Sequence, residues 1–177
     1  DDGINIRNSK IAIYNSNFSD NLFDQMDLDF CEGELSSNNF KANEKNILMS
    51  DNEPNGDGLD LSGSNVILSR NTFKNFSDKG LSIGEESIAL LNQNQFISSN
   101  KAIAIKDGSK VYDLGTNIFK DNIEDFSIYI KKPFYGSPEI FFTKKNSNYK
   151  LSNEGGIISQ INPSVVQEKF NNYYDKQ

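Results

Sequence analysis

Apolar and polar positions alternate with period two through short segments of the chain: Ile4-Asn5-Ile6, Leu28-Asp29-Phe30, Leu59-Asp60-Leu61, Leu81-Ser82-Ile83 and Ile103-Ala104-Ile105. This alternation marks short β-strands whose flanking residues face a core and whose middle residue faces outward. A second short strand follows in most segments, at Ile11-Ala12-Ile13, Val66-Ile67-Leu68 and Ile88-Ala89-Leu90. A phenylalanine then marks a third, at Phe18, Phe40, Phe73, Phe96 and Phe119, with spacings of 22, 33, 23 and 23 residues. The long interval contains the polar stretch Glu44 to Asn55, which reads as a loop inserted into one repeat (about 44–55). With that stretch set aside, the chain is a tandem repeat of about 23 residues.

Asparagine stands two residues before Phe40, Phe73, Phe96 and Phe119, at Asn38, Asn71, Asn94 and Asn117, and a second set follows the phenylalanines at Asn21, Asn43, Asn75, Asn100 and Asn122. Both sets mark turns, so each repeat is three short strands separated by turn residues. The turns recur too often for the long amphipathic runs of a helical repeat, and the Leu-x-x-Leu-x-Leu text of leucine-rich repeats is missing. The pattern predicts an all-β, right-handed parallel β-helix over residues 1–132. Coils stacked at the strand spacing of about 4.8 Å place equivalent side chains above one another. The phenylalanines then form one aromatic stack, and Asn71, Asn94 and Asn117 form an amide ladder bonded to turn backbone.

From Pro133 the repeat text dissolves, and residues 133–177 read as an irregular capping segment ending in a short helix that begins near Pro163. Solenoids cover their ends because an open coil exposes core and unpaired strand edge. The opening Asp1-Asp2-Gly3 does not resemble a signal peptide and reads as already inside a repeat, so the expectation is a fragment or processed form with coils or domains upstream.

Composition narrows the chemistry. Eighteen basic and twenty-five acidic residues give a net charge of −7, which argues against nucleic acid or an anionic membrane as partner. No apolar run is long enough to span a bilayer. The chain has no histidine, which removes imidazole acid–base catalysis and the commonest transition-metal ligand. Cys31 is the only cysteine, so no internal disulfide forms, and the thiol reads as a small buried apolar residue.

The outward middle position of the first strand holds Asn5, Asp29, Asp60, Ser82 and Ala104, and acids also precede it at Asp24, Asp27, Asp57 and Asp78. Asp27, Asp29, Asp57, Asp60 and Asp78 should therefore share one face, bordered by Lys79, Glu85 and Lys106. Like charges on adjacent strands repel, so such a cluster can raise a carboxyl pKa for acid catalysis by Asp27, Asp29 and Asp60. It can equally bind a ligand through Asp57, Asp78, Lys79, Glu85 and Lys106, or hold calcium on Asp29, Asp57 and Asp60 without any cofactor being required. The competing reading is that the acids occupy coil corners and a solvated strand face. Tyr14, Tyr112, Tyr129 and Tyr135 read as exposed rings suited to stacking on sugars, while Asp113 and Asp121 read as acids away from the face.

Residues 1–132 resemble the right-handed β-helix repeat proteins of the pectin-lyase-like superfamily. The segments Asp57-Gly58-Leu59-Asp60-Leu61-Ser62-Gly63-Ser64 and Asp78-Lys79-Gly80-Leu81-Ser82-Ile83-Gly84-Glu85 are similar to β-helix regions that accompany CotH-kinase-like segments in secreted or surface bacterial proteins. No CotH kinase motif is present, so kinase activity is not implied. Asp2-Gly3-Ile4, Asp27-Leu28-Asp29, Gly80-Leu81-Ser82-Ile83-Gly84 and Ile105-Lys106 also resemble the text of polygalacturonase-type glycoside hydrolases, with Lys79 at the position of their histidine and an extra coil at Asp57 to Asp60. The resemblance implies an extracellular, cell-surface or periplasmic protein that binds, and in some relatives processes, a carbohydrate polymer. The alternative is a non-catalytic structural or adhesive scaffold.

Overall fold

The computed structural model of the chain describes residues 2–42, 56–144 and 148–174, with side chains described as far as Lys169. The stretch read as an inserted loop, about 44–55, lies outside the described residues. The first coil contains β1 (Asn5–Arg7), β2 (Lys10–Tyr14) and β3 (Asn17–Ser19). The second contains β4 (Met26–Asp29), β5 (Glu32–Ser36) and β6 (Asn39–Lys41). The third contains β7 (Leu59–Ser62), β8 (Asn65–Ser69) and β9 (Thr72–Lys74). Next come β10 (Lys79–Gly84), β11 (Ile88–Asn92) and β12 (Gln95–Ile97), then β13 (Lys101–Lys106), β14 (Lys110–Asp113) and β15 (Ile118–Lys120). The chain continues through β16 (Glu124–Tyr129), β17 (Glu139–Phe142), β18 (Leu151–Glu154), β19 (Ile157–Gln160) and the helix α1 (Pro163–Tyr174).

Each strand pairs in parallel with its counterpart in the next coil, giving three sheets: β1-β4-β7-β10-β13-β16-β18, β2-β5-β8-β11-β14-β17-β19 and β3-β6-β9-β12-β15. This is the all-β parallel solenoid that the repeat predicts. The core is built by alternation: Leu59 and Leu61, Leu81 and Ile83, and Ile103 and Ile105 all point inward and are fully buried. Phe18, Phe40, Phe73, Phe96 and Phe119 stack with ring centroids 4.8 to 5.3 Å apart. Tyr149 meets Phe119 edge-on at 5.3 Å and ends the column.

The corners explain the turn residues. Asn8, Phe30, Gly63, Glu85 and Asp107 occupy one corner, Asn15, Ser37, Arg70 and Gln93 the next, and Asp20, Asn75, Ser98 and Asp121 the third, all with positive φ. A left-handed residue turns the chain by a fixed angle, and asparagine, aspartate and glycine adopt it at least cost. The asparagines before the phenylalanines do different work: Asn38, Asn71 and Asn94 each accept a bond on Oδ1 from the backbone N–H one coil earlier and donate through Nδ2 to a buried carbonyl. Their amides also bond to one another, and the series ends where Asn117 Nδ2 donates to Asp113 Oδ1 at 2.7 Å. Asp113, on the second sheet and so away from the acidic face, is the buried terminus of the ladder. The second asparagine set is not one column, since Asn75 sits in a left-handed corner whereas Asn122 accepts from the Ser99 amide.

Three further placements differ from the sequence reading. In the second coil the inward pair is Met26 and Leu28, while Phe30 is a corner residue left 63 % exposed. In the fourth coil Ala89 and Leu91 enter the core, and Leu90 faces outward. That outward column of Ile67, Leu90 and Tyr112 is apolar because α1 lies on it through Val166, with Lys169 Nζ 4.7 Å from the Tyr112 ring centre. Tyr112 is accordingly buried and unavailable for stacking on a sugar. The repeat ends at Pro133 only for the third sheet, because β17, β18 and β19 extend the other two. Among the described residues, no helix is long and apolar enough to cross a membrane.

Candidate functional site

The outer face of the first sheet carries the acids, and strand register sets which of them meet. Asn5, Asp27, Asp60, Ser82, Ala104, Ser127 and Ser152 form one outward column. Arg7, Asp29, Ser62 and Gly84 form the next, which Lys106, Tyr129 and Glu154 continue. The sequence reading placed Asp29 beside Asp60; Asp27 is there instead. The run Met26, Leu28, Phe30 has three apolar residues at alternate positions, so alternation alone allows either Asp27 or Asp29 as the middle residue. The corner at Phe30 decides between them.

Asp27 accepts a bond from Asn5 Nδ2 and faces Asp60 across one strand spacing. Burial, reinforced by the negative charges of Asp29, Asp60 and Asp24, pushes its carboxyl up to about 6. Asp60 Oδ1 is shielded from solvent and has no hydrogen-bond partner among the described residues; the nearest cation, Lys106 Nζ, is 3.9 Å away. Ser82 Oγ, on the next strand, is likewise shielded and unpartnered. Asp29 belongs to a separate pair, with Arg7 Nε 2.7 Å from its Oδ2.

A second cluster lies at the corner that leads into the sheet. Lys79 Nζ stands 3.1 Å from Asp57 Oδ1 and also contacts Asp78, so two carboxylates share one ammonium. Their attraction outweighs burial and raises the Lys79 pKa. Burial pushes the Asp57 carboxyl up to about 7 against the pull of Lys79, with Asp78 and Asp60 adding to the rise. Burial thus favours the neutral form of Asp57, while the two carboxylates favour the charged form of Lys79. Asp24 reaches the same cluster by accepting the Asp57 N–H at 2.6 Å, and burial raises its pKa as well.

Glu85 lies apart from both groups, bonded to Lys132 and, at 3.3 Å, to the Tyr135 hydroxyl. The Lys132 bond holds its carboxyl below the usual range. Sequence reasoning missed the partners Arg7, Lys132 and Tyr135 because they come from other coils or from the segment beyond the repeat. It also missed a groove of about 350 Å³ that continues the face past Ala104, lined by Lys101, Glu124, Ser127, Tyr129, Ser152 and Glu154. Among the described residues, no three acidic or cysteine side chains gather closely enough to hold a metal ion. Asp29, Asp57 and Asp60 in particular are divided between different partners. Cys31 is buried with its thiol against the carbonyls of Ile6 and Asp29.

Neither models of known protein families nor curated protein sequences give a match to the chain.

Proposed function

We propose that the outer face of the first sheet binds a carbohydrate polymer, as part of a secreted or surface-exposed β-helix domain of the pectin-lyase-like kind. The observation that carries this reading is the pairing of Asp27 and Asp60, adjacent in register, with Asp60 Oδ1 unsatisfied beside Lys106. A buried acceptor without a donor costs about 1–3 kcal/mol, and the hydroxyls or ammonium of a sugar are donors of the right kind once Lys106 swings aside. The residues at Ser62, Ser82, Gly84 and Ala104 are small, but Ser82, Gly84 and Ala104 are buried and Lys106 lies against Gly84, so a ring meets them only once Lys106 moves; the groove at Tyr129 extends the face. The negative face favours neutral or amino sugars over uronates.

Processing of the bound polymer is a narrower proposal. Asp27 and Asp60 stand on adjacent strands, and their carboxyl separation decides the outcome, since an inverting hydrolase needs roughly 6.5–9.5 Å and a retaining one about 5–5.5 Å. A retaining arrangement, with Asp27 as the acid and Asp60 as its partner across one strand spacing, fits the raised Asp27 pKa better. Binding without catalysis requires no such geometry. The scaffold reading is favoured by the ion pairs of Asp29, Asp57 and Glu85, which use up most of the face's charges internally.

The test is thermal melting of the parent and of the Asp27→Asn/Asp60→Asn double variant against neutral, acidic and amino oligosaccharides, with calcium as a separate arm. A ligand at a hundred times its Kd stabilises the parent by about 2.7 kcal/mol. The double variant should fold and lose that shift. A parent unmoved by every sugar would leave the scaffold reading in place.

A further inference from the structure

The second sheet carries a groove on its outer face that is independent of the acidic one. It encloses about 460 Å³ beside α1, with Gln167 of that helix on one wall and Arg70 on the other. Pockets of this size take small polar molecules of roughly monosaccharide dimensions.

Arg70 is the only cation among the described residues that line this groove. It occupies the left-handed corner after β8, and serines of the preceding coil hold its guanidinium: Nη2 donates to Ser36 Oγ at 2.9 Å and Nε to Ser37 Oγ at 3.5 Å. Ser69 Oγ bonds in turn to Ser36 Oγ at 3.2 Å. Arg70 makes no ion pair among the described residues. A guanidinium has five N–H donors in a planar fork matched to oxyanions, and two of them are spent on neutral hydroxyls that orient the group. Glu34 is the one anion among the described residues that line the same groove, in a protein whose net charge is −7.

The remaining lining fits the body of such a ligand. Asn15 and Asn92 add carboxamides beside Arg70, and buried Ile67 forms an apolar floor. Glu34 pairs in register with Ile67, three residues before Arg70, and its carboxylate accepts the Tyr14 hydroxyl. Tyr14 pairs in register with Ser36, so the carboxylate is tied within the groove, where it offers an acceptor to the hydroxyls of a ligand.

We propose that this groove binds a small hydroxylated anion, with a carboxylate, sulfate or phosphate group on Arg70. The site is separate from the acidic face, so either can fail without the other. The test is thermal melting and NMR of the parent with glucuronate, glucose 6-phosphate and inorganic phosphate, with glucose as the neutral control. The expected result is a saturable stabilisation by at least one sugar anion, absent with glucose, and a shift of the Arg70 Nε–Hε resonance along the same titration. Arg70→Gln should weaken binding at least tenfold, Arg70→Lys should weaken it less, and Asp27→Asn/Asp60→Asn should leave it unchanged. Response to inorganic phosphate alone would reduce the site to an adventitious ion contact and overturn the proposal. No response in the parent, or equal binding by Arg70→Gln, would overturn it as well.

Discussion

Replacing Asn94 by leucine tests the structural logic of the coils at its densest point. Asn94 is fully buried, and its side chain makes four bonds. Oδ1 accepts from the Asn71 backbone N–H at 3.0 Å and from Asn71 Nδ2 at 3.1 Å; Nδ2 donates to Leu68 O at 2.9 Å and to Asn117 Oδ1 at 3.0 Å. Leucine has the same branched set of four side-chain heavy atoms, is bulkier, and offers neither donor nor acceptor. Asn71 Nδ2 would keep its bond to Leu35 O, and Asn117 Oδ1 would keep the Asn94 backbone N–H. The Asn71 N–H would be left with no acceptor, and Leu68 O would lose a donor. At about 1–3 kcal/mol for each buried polar group deprived of its partner, the loss is about 2–5 kcal/mol. Urea unfolding measures it as a lower midpoint at unchanged slope. Asn100 is the control: its side chain has no bond in the ladder, so Asn100→Leu should stay within about 0.5 kcal/mol of the parent. A loss below about 1 kcal/mol for Asn94→Leu, or equal losses at both positions, would refute the ladder as a stabilising element.

Phe96→Ala should cost about 3–5 kcal/mol, because the ring is fully buried between Phe73 and Phe119; Phe18→Ala should cost less in the same urea assay, because that ring has only one stacking neighbour and is partly exposed. The raised Asp27 carboxyl, at about 6, means the folded protein holds a proton that the unfolded chain releases near 4. Its contribution is thus present at low pH and lost as pH rises through about 6, so Asp27→Asn should raise stability at pH ~7.5 by on the order of 1 kcal/mol after solvent screening, and hardly at all at pH ~3, below the unfolded pKa. Melting curves at the two pH values check it, and an equal effect at both would contradict the raised pKa. Asp113 is buried, with Oδ1 bonded to Gly115 N–H and Asn117 Nδ2 and Oδ2 unpartnered; Asp113→Asn should match or exceed the parent's stability at neutral pH, whereas Asp113→Leu should lose about 1–3 kcal/mol.

The repeat was legible because stacking forces the same residue type into the same column. Phe40, Phe73 and Phe96 are fully buried in one stack, and Asn38, Asn71 and Asn94 share one hydrogen-bonding role, so spacing alone located them. Legibility failed where a run of alternation was longer than the strand. Met26 to Phe30 offers two registers, and the wrong one exchanges Asp27 for Asp29 at the centre of the acidic face. Likewise Ile88 to Leu91 hid the outward Leu90, whose apolar character answers to α1 and not to the core. A helix docking on a sheet face leaves no periodic signal, so Tyr112 read as exposed although it is only 7 % exposed. The acids expected on one face are divided: Asp27, and not Asp29, is adjacent to Asp60 in register, while Asp57 and Asp78 form a separate cluster on Lys79. Its pairings with Arg7 and Lys132 depend on side-chain reach between coils, which no strand period encodes.

The central claim is that the first-sheet face is the carbohydrate surface, and backbone amide mapping tests it most directly. A 1H–15N spectrum would be titrated with whichever neutral or amino oligosaccharide raises the melting temperature. The account predicts perturbations concentrated on the outward columns of one sheet: Asp27, Asp60, Ser82, Ala104, Ser127 and Tyr129. Perturbations confined to the second or third sheet, or a spectrum that never moves, would contradict it.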